Sequence, residues 1–402
     1  MKIKIHTQIL IAIVGGVIAG LMLGEKVEHI EFVGTLFIRL LKMIIVPLIL
    51  ASMVSGVISV GSFRHLGKIG SKTFVYYMAT TVMAIVVGLI LVNIIAPGVG
   101  FEIPGQSDFS TGDQQKPTVL SIIMDIVPTN VFGAVAEGNV LSVIFFSLLL
   151  GAAITAVGKK AEPVANFFAG FNDVIMKITH WIMLLAPVGV FALMANMTGK
   201  MGLEVLKPMA KYMATVIAGL GIHAVITLPA ILRAFGKYSP VKLFDNMFSA
   251  LATAFSTDSS AATLPITMDC VENKVGVSNR VSSFVLPLGA TVNMDGTALY
   301  EAVAAMFIAQ AYGIHLDIGQ QVVIVLTATL ASIGAAAIPN AGLFTMVIVL
   351  EAVRLPVEGI GFIWAVDRIL DMCRTTVNVW GDSCGAVVIA RLDGEEIKPN
   401  TE

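Results

Sequence analysis

The sequence predicts an all-α polytopic membrane protein. Of its 402 residues, 56% are hydrophobic and only 13% are charged, and the mean hydropathy is +0.89. A soluble protein carries roughly a quarter charged residues. The apolar residues form long runs, many near the ~20 residues that a helix needs to cross a bilayer. Lipid is therefore the expected solvent for most of the surface.

The composition also argues against several classes of function. No basic patch or aromatic platform follows a phosphate backbone, which argues against nucleic-acid binding. Six histidines lack metal-ligand spacing, and Cys270, Cys373 and Cys384 are too few for a disulfide framework. No catalytic constellation or organic-cofactor motif indicates an enzyme. Lys2 and Lys4 precede an apolar run without a cleavage site and a polar mature domain, so we expect a first membrane helix.

The first half of the chain predicts long helices around one polar stretch. In order, the pattern gives helices near 7–24, 33–61 and 72–97, a polar stretch at 101–117, broken apolar segments over 119–157, and helices near 163–196 and 205–236. Basic loop residues mark one side: Arg64, Lys68, Lys72, Lys159, Lys160, Arg233, Lys237 and Lys242. Acidic loop residues mark the other: Glu25, Glu28, Glu31, Glu102, Asp108 and Asp113. The positive-inside rule then predicts that both termini are cytoplasmic.

The second half contains two apolar stretches that small residues interrupt. The interruptions are residues 256–263 and 332–342, and each interrupted stretch is followed by a longer apolar segment, at 281–313 and 359–390. Paired, broken segments at matching places are typical of secondary transporters with internal repeats and a site near the bilayer midplane. Two ordinary helices kinked by Gly and Pro are the alternative interpretation.

The segment at 359–390 carries a stripe of charge. Asp367, Asp371, Arg374, Asn378 and Asp382 are spaced by four, three, four and four residues, which places them on one helix face. A charge at the bilayer centre costs at least ~2.5–3.5 kcal/mol, so these residues must face the protein interior. A stripe with both signs suits a zwitterion, because an arginine can hold a carboxylate and an aspartate can hold an ammonium group. A structural ion pair is the simpler alternative.

A second polar segment interrupts the apolar run at 281–313. Asn293, Asp295 and Gly296 disfavour a continuous helix, and unwound backbone beside a carboxylate offers oxygen ligands for a hard cation such as Na⁺. The same residues also resemble a turn. Glu301 follows in an apolar helix, where desolvation favours the protonated form, so it could carry a proton or be a hydrogen-bonded structural acid.

These motifs together resemble the dicarboxylate/amino acid:cation symporter family, which includes excitatory amino acid transporters and archaeal sodium/aspartate symporters. The matching segments are Lys42-Met-Ile-Ile-Val-Pro47, Thr263-Leu-Pro265, Asn293-Met-Asp-Gly-Thr297, Ala331-Ser-Ile-Gly334 with Pro339, and Asp371-Met-Cys-Arg-Thr-Thr-Val-Asn378 with Gly381-Asp382. The resemblance implies eight transmembrane helices plus two re-entrant helical hairpins with inverted repeats. It also implies a homotrimer in the cell membrane whose transport domains move like elevators.

By this resemblance the chain divides into scaffold and transport segments. Residues 1–71 and 117–204 are expected to form the scaffold, and 72–116 and 205–402 the transport domain. The latter segment contains hairpin 1 at about 241–274, a helix at about 280–313, hairpin 2 at about 319–354 and the last helix at about 358–392.

The resemblance also implies site residues. Arg374 would bind the side-chain carboxylate of the substrate, Asp371 the amino group and Asn378 the α-carboxylate. The rest of the substrate site would be Ser260, Thr297, Thr375, Ile338 and Gly342. One cation site would join Asp382 to carbonyls of Gly289, Asn293 and Asn378; another would join Asp295 to Asn293, Tyr77, Thr80 and Thr81; a third would use backbone of Thr291, Ser332 and Ile333. Glu301 matches the proton-carrying glutamate of the excitatory transporters.

Because the chain keeps both Arg374 and Asp371, we expect an acidic amino acid, glutamate or aspartate, as substrate, with Na⁺ and H⁺ as coupled ions. Proton-only coupling, a C4-dicarboxylate or neutral amino acid carrier of the same fold, and a passive pore remain alternatives. One position departs from the family pattern. A second arginine is expected in the first hairpin or beside the aspartate of the last helix, but Asp258 and Met372 occupy those positions. Asp258 and Asp367 have no assigned role.

Overall fold

A computed structural model of the chain describes residues 5–62, 68–101, 124, 126–334 and 341–397. These residues are mostly helical, and no strand occurs among them. Within this part, four helical stretches are long and apolar enough to cross a membrane: Glu28–Ile58, Ile69–Ile95, Ser142–Leu184 and Gly202–Gly236. The predicted all-helical membrane class is confirmed.

The first half contains seven described α-helices: α1 (Ile5–Leu23), α2 (Glu28–Ser62), α3 (Lys68–Ile95), α4 (Val131–Glu137), α5 (Val140–Val157), α6 (Glu162–Leu184) and α7 (Ala186–Met201). The side chain of Asn130 caps the start of α4 by accepting hydrogen bonds from the amides of Phe132 and Gly133. Gly158, at a φ of +69°, ends α5, so the 43-residue apolar stretch holds two helices. Residues 102–117 of the predicted polar stretch lie outside the described residues.

The single helix predicted near 163–196 is wrong, because the structure has two helices there. The run at 163–196 forms α6 and α7, which meet at Leu185. Pro187 stands in the first turn of α7, where its missing amide hydrogen costs nothing, whereas inside a continuous helix it would remove a hydrogen bond. Hydropathy alone does not register this break.

The second half contains α8 (Leu206–Ile222), α9 (Leu228–Ile231), α10 (Pro240–Thr257), α11 (Ser260–Asp269), α12 (Asn279–Val292), α13 (Asp295–Ala311), α14 (Ile318–Gly334), α15 (Ala341–Ala352) and α16 (Ile360–Leu392). Both predicted interruptions separate helices. We call α10 and α11 the first helix pair, and α14 and α15 the second helix pair; in each pair the two helices contact one another. Residues 335–340, between α14 and α15, lie outside the described residues.

The continuous helical segment that contains α8 and α9 is not a regular α-helix. A π-helical turn over His223–Thr227 joins the two helices, and a second π turn over Leu232–Gly236 follows α9. The indole Nε1 of Trp380 donates a hydrogen bond to the carbonyl oxygen of Ala224 at 3.0 Å, which ties the first π turn to α16. Such turns recur at functional sites.

Helices α13 and α16 form the centre of the second half. Every residue of α13 from Asp295 to Ala309 is buried, since the helix packs against α3, α8, α14, α15 and α16. Helix α16 packs in turn against α10, α12 and α13. This burial explains why an apolar sequence with no amphipathic pattern surrounds the few polar residues of α13, and it places those residues away from lipid.

A polar clasp holds the end of α16. The ammonium group of Lys72 donates to the carbonyl oxygen of Leu392 at 2.7 Å and lies 3.4 Å from the carboxylate of Asp393, which also pairs with Arg280. Burial alone would raise the pKa of Asp393, but the hydrogen bonds from Arg280 and Lys72 outweigh it and lower the pKa below its ordinary value. The clasp thus joins the starts of α3 and α12 to the end of α16.

Candidate functional site

The charged stripe of α16 is buried along its whole length. Asp367, Asp371, Arg374, Asn378 and Asp382 lie on one continuous helix, and each is at most 5% exposed. Because α16 is unbroken from residue 360 to 392, their spacing puts them on one face, and Asn378 and Asp382 on that face bond to the segment where α13 begins. The prediction that these groups face the protein interior is confirmed.

Arg374 is held by two carboxylates and one aromatic ring. Its Nη1 donates to Asp367 at 2.8 Å and its Nη2 to Asp371 at 2.7 Å. The guanidinium carbon lies 3.8 Å from the centroid of the Tyr300 ring, within the range of a cation–π contact. The third guanidinium nitrogen, Nε, has no hydrogen-bond partner among the described residues. Asp367, which had no role in the sequence, is thus a counter-ion that orients the guanidinium.

The second helix pair approaches Arg374 closely because residue 342 is a glycine. A Cβ atom on Gly342 would lie 3.2 Å from the guanidinium and equally close to the methyl group of Thr297. The N-terminus of α15 therefore approaches the arginine with backbone alone. Gly342 lies where it was predicted to contribute backbone to the site, whereas Ile338 lies outside the described residues.

Asn378 bridges α16 and the break before α13. Helix α12 ends at Val292 and α13 begins at Asp295, so the predicted interruption is present. The amide oxygen of Asn378 accepts from the backbone amide of Gly296 at 2.8 Å, and its Nδ2 lies 3.4 Å from the hydroxyl of Thr297. Thr297, Asn378, Arg374 and Asp371 therefore share one buried region.

The other two predicted substrate residues are buried as well. Thr375 follows Arg374 on α16, and Ser260 is the first residue of α11. Ser259 precedes it as the N-cap and accepts a hydrogen bond from the amide of Ala262 at 3.2 Å. The first helix pair therefore presents Ser260 at the beginning of a capped helix.

Asp295 forms the first of two carboxylate centres. Its Oδ1 accepts hydrogen bonds from Thr80 at 3.2 Å and from Thr81 at 2.7 Å. Its Oδ2 lies 3.1 Å from Nε2 of His223, and both side chains are completely buried. The predicted cluster of Asp295 with Thr80 and Thr81 is therefore present, and it includes a histidine that the sequence pattern did not indicate.

Asp382 forms the second centre. The Nδ2 of Asn293 donates to Asp382 at 2.9 Å and lies 3.3 Å from the carbonyl oxygen of Asn378. A Cβ on Gly289 would come within 2.2 Å of Oδ1 of Asp382 and 2.5 Å of the Tyr77 hydroxyl, so only glycine fits. Tyr77 itself donates to the carbonyl of Val285 at 2.9 Å, and not to Asp295.

The oxygen groups of these two centres suit a hard cation. The ligands that the centres offer are carboxylate, hydroxyl, amide and backbone oxygens. The buried Oδ1 of Asn293 has no hydrogen-bond partner in the described part of the chain, which leaves an oxygen for an ion. No group of three or more His, Cys, Asp and Glu residues that could hold a metal occurs among the described residues.

At the third predicted cation site, the side-chain hydroxyl groups bond to carbonyl oxygens of their own helices. The hydroxyl of Thr291 donates to the carbonyl of Leu288 at 3.0 Å, and that of Ser332 to the carbonyl of Thr329 at 2.8 Å. Both side chains are thus bonded within their own helices, which is compatible with the predicted use of backbone oxygens there. Ile333 lies next to Ser332 on α14.

Glu301 connects α13 to the second helix pair. Its side chain is completely buried and accepts a hydrogen bond from the hydroxyl of Thr345 on α15. Its second oxygen, Oε2, has no hydrogen-bond partner in the described residues. The carboxyl group thus links α13 to α15 through one of its two oxygens.

Comparison with known proteins assigns the family. The family model described as "Sodium:dicarboxylate symporter family" matches residues 5–392. The chain belongs to the sodium:dicarboxylate symporter family. The "Excitatory amino acid transporter" of Caenorhabditis elegans is 39% identical to this symporter over 97% of the chain and 86% of the relative.

Two further relatives agree with this assignment. The "Proton/sodium-glutamate symport protein" of Geobacillus stearothermophilus is 37% identical over 98% of this chain and 96% of its own length. The "Excitatory amino acid transporter 3" of Mus musculus is 38% identical over 97% and 86%. The predicted family is confirmed, and the symporter is a membrane transporter and not an enzyme.

Proposed function

We propose that this symporter takes up acidic amino acids, glutamate or aspartate, driven by a sodium gradient with proton cotransport. The observation that carries the proposal is the buried pairing of Arg374 with Asp371. A guanidinium and a carboxylate side by side offer complementary charges for a substrate with both signs. The names of the relatives, which mention excitatory amino acids, glutamate, sodium and protons, support the same substrate class and ions.

In this proposal each charged group of the substrate meets one side chain of α16. Arg374 binds the side-chain carboxylate, using donors that include the unpartnered Nε. Asp371 binds the amino group, and Asn378 donates to the α-carboxylate. Thr297, Thr375 and Ser260 supply hydroxyl groups, and Gly342 with Ile338 supplies backbone of the second helix pair. Asp367 remains bound to Arg374 and keeps its charge compensated when Asp371 turns to the ammonium group.

Sodium ions occupy the two carboxylate centres. Asp295 with Thr80, Thr81, Asn293 and Tyr77 forms one site, and Asp382 with carbonyls of Gly289, Asn293 and Asn378 forms the other. A further site uses backbone of Thr291, Ser332 and Ile333. Asn378 links ion and substrate, because its carbonyl lies at the Asp382 centre while its side chain lies beside Thr297. Ion binding thereby fixes a residue that contacts the substrate.

Glu301 carries the proton. Its hydrogen bond with Thr345 connects Glu301 to α15. A change in the protonation of Glu301 therefore acts on the second helix pair, which approaches Arg374 through Gly342. Since a charged carboxylate in this apolar helix lacks a cationic partner among the described contacts, transport across the membrane favours the neutral acid.

We propose the family architecture for the whole chain: eight transmembrane helices, two re-entrant hairpins and cytoplasmic termini in a multi-pass cell-membrane protein. The first and second helix pairs are the hairpins. The packing supports the division into a scaffold (1–71, 117–204) and a transport domain (72–116, 205–402), since α2 packs on α5, α6 and α7 while α3 packs on α8 and α13. The transport domain moves like an elevator within a homotrimer.

Uptake into proteoliposomes tests the function. Radiolabelled glutamate and aspartate are supplied with a sodium, proton or potassium gradient imposed one at a time. We expect accumulation that requires inward sodium and that an inward proton gradient increases. Accumulation with a proton gradient alone would indicate proton-only coupling. Uptake of succinate or serine without glutamate or aspartate would indicate a different carrier of the same fold, and flux that no gradient concentrates would indicate a pore.

A further inference from the structure

The turn of the first helix pair is tied to α16 by a buried ion pair. Asp258 lies between α10 and α11, and its carboxylate contacts the guanidinium of Arg368. The Asp258 side chain is completely buried, and that of Arg368 is 8% exposed. Neither carboxylate oxygen of Asp258 accepts a hydrogen bond from the described residues, so its charge contact with Arg368 is the direct compensation that this carboxylate has.

The turn itself does not require an aspartate. Asp258 has a φ of +50° and a ψ of 33°, the left-handed conformation in which glycine is the least strained residue. The helix end is satisfied by the backbone amide of Asp258, which donates to the carbonyl of Ala254 at 3.0 Å. The start of α11 is satisfied by Ser259. The carboxylate is therefore present for its contact with Arg368.

The ion pair stands between two parts of the proposed substrate site. Arg368 lies on α16 between Asp367 and Asp371, and Asp258 precedes Ser260 by two residues. Both helices of the first pair pack against α16. Ser260 thus follows within two residues of a turn that contacts Arg368, and Arg368 is on the helix that carries Asp371.

We propose that Asp258 and Arg368 are positioning residues for substrate binding, which hold the turn of the first helix pair against the charged stripe of α16. This inference rests on the proposed function, because it assigns a role at the same substrate site.

Reciprocal substitutions in proteoliposomes test the role. Asp258→Asn and Arg368→Gln should each raise the KM for the transported amino acid about tenfold and lower Vmax less, because each leaves one buried charge uncompensated beside the site. Exchanging the pair, Asp258→Arg with Arg368→Asp, should return KM to within about threefold of the wild type, since the interaction is restored with its charges reversed. Arg280→Gln, which removes an exposed ion pair with Asp393, is the matched control and should leave KM unchanged.

A labelling experiment gives a readout that does not depend on transport. Ser260→Cys in a Cys373→Ser background places a buried thiol next to the turn, and its rate of reaction with a maleimide is measured in the purified protein. Asp258→Asn should increase this rate at least about fivefold, because the turn loses its contact with α16, and the exchanged pair should reverse the increase.

The outcomes separate this inference from the proposed function. Failure of the wild type to take up acidic amino acids would reject the proposed substrate, while the labelling rates would still report on the turn. The positioning role is wrong if both single variants keep the wild-type KM and labelling rate. It is equally wrong if the exchanged pair is no better than the worse single variant, or if only protein yield and Vmax fall while KM is constant.

Discussion

His223 and Asp295 are in hydrogen-bonding contact at the centre of the molecule, with Nε2 of the imidazole 3.1 Å from Oδ2 of the carboxylate. The histidine lies on the π turn after α8, and the aspartate begins α13. Since Thr80 and Thr81 bind the other oxygen, both carboxylate oxygens are held in place. The contact thereby fixes the orientation of the Asp295 carboxylate at the proposed sodium site.

Replacing His223 should weaken sodium binding. In His223→Leu, Oδ2 of Asp295 loses its donor and the carboxylate is held through Oδ1 alone, so we expect the sodium concentration for half-maximal uptake to rise about tenfold. His223→Gln, which retains a donor of similar reach, should show a smaller rise. Sodium dependence of substrate uptake measures both, and equal behaviour of wild type and His223→Leu would show that the contact is dispensable.

Arg374 should determine the substrate class. Arg374→Cys removes the guanidinium that Asp367 and Tyr300 orient, so we expect binding of glutamate and aspartate to fall at least about a hundredfold, because a charge-assisted bidentate contact is lost. Neutral amino acids should become substrates. Competition of labelled substrate by unlabelled amino acids provides the measurement, and undiminished glutamate affinity would contradict the assigned role.

Much of this site could be anticipated from the sequence, for identifiable reasons. The spacing of Asp371, Arg374 and Asn378 on α16 is a local property of a helix, and charges in an apolar run are conspicuous. The break at Asn293 follows from helix propensity. By contrast, His223 and Asp295 come from separate helices, and a lone histidine in an apolar run carries no signal of its partner. The same holds for Asp258 and Arg368, whose pairing depends on the packing of the first helix pair.

Glu301 should control the pH dependence of transport. Glu301→Gln keeps a group that Thr345 can contact but cannot exchange a proton, so uptake should become nearly independent of pH while sodium still supports binding. Thr345→Val is the companion variant, since it removes the hydrogen bond and keeps the acid; it should shift the pH profile without abolishing it. A pH profile that survives Glu301→Gln would place the proton elsewhere.

Gly289 should be intolerant of even one added carbon. In Gly289→Ala the new Cβ meets the Asp382 carboxylate, so we expect sodium-dependent uptake to be lost although the protein still folds in the membrane. Gly221→Ala is the matched control, because a Cβ there meets nothing within 4 Å and alanine favours helix α8. Equal uptake by both variants would show that the Asp382 centre yields to the extra atom.

The clasp at the end of α16 should stop contributing to the stability of the fold in acid. Because the pKa of Asp393 is lowered in the folded protein, its ion pairs stabilise the fold above the pKa of the unfolded chain, roughly 3.9, and this stabilisation disappears as the pH falls through the folded value. The Tm of Asp393→Asn in detergent should therefore be below that of the wild type at pH 7. The difference should shrink as the pH falls below roughly 3.9 and should vanish below the lowered pKa of the folded protein. A difference in Tm that persists in acid would indicate that Asp393 stabilises the fold by something other than its charge.

The π turn at His223–Thr227 holds one residue more than the α-helical turn that it replaces. Deleting Val225 alone would remove the extra residue, so α8 and α9 could merge into a regular helix whose halves keep their relative orientation. The widened turn that brings His223 to Asp295 and the carbonyl of Ala224 to Trp380 would then be gone. A sequence one residue shorter here can therefore keep the packing of both halves, but other groups have to make the contacts of the turn.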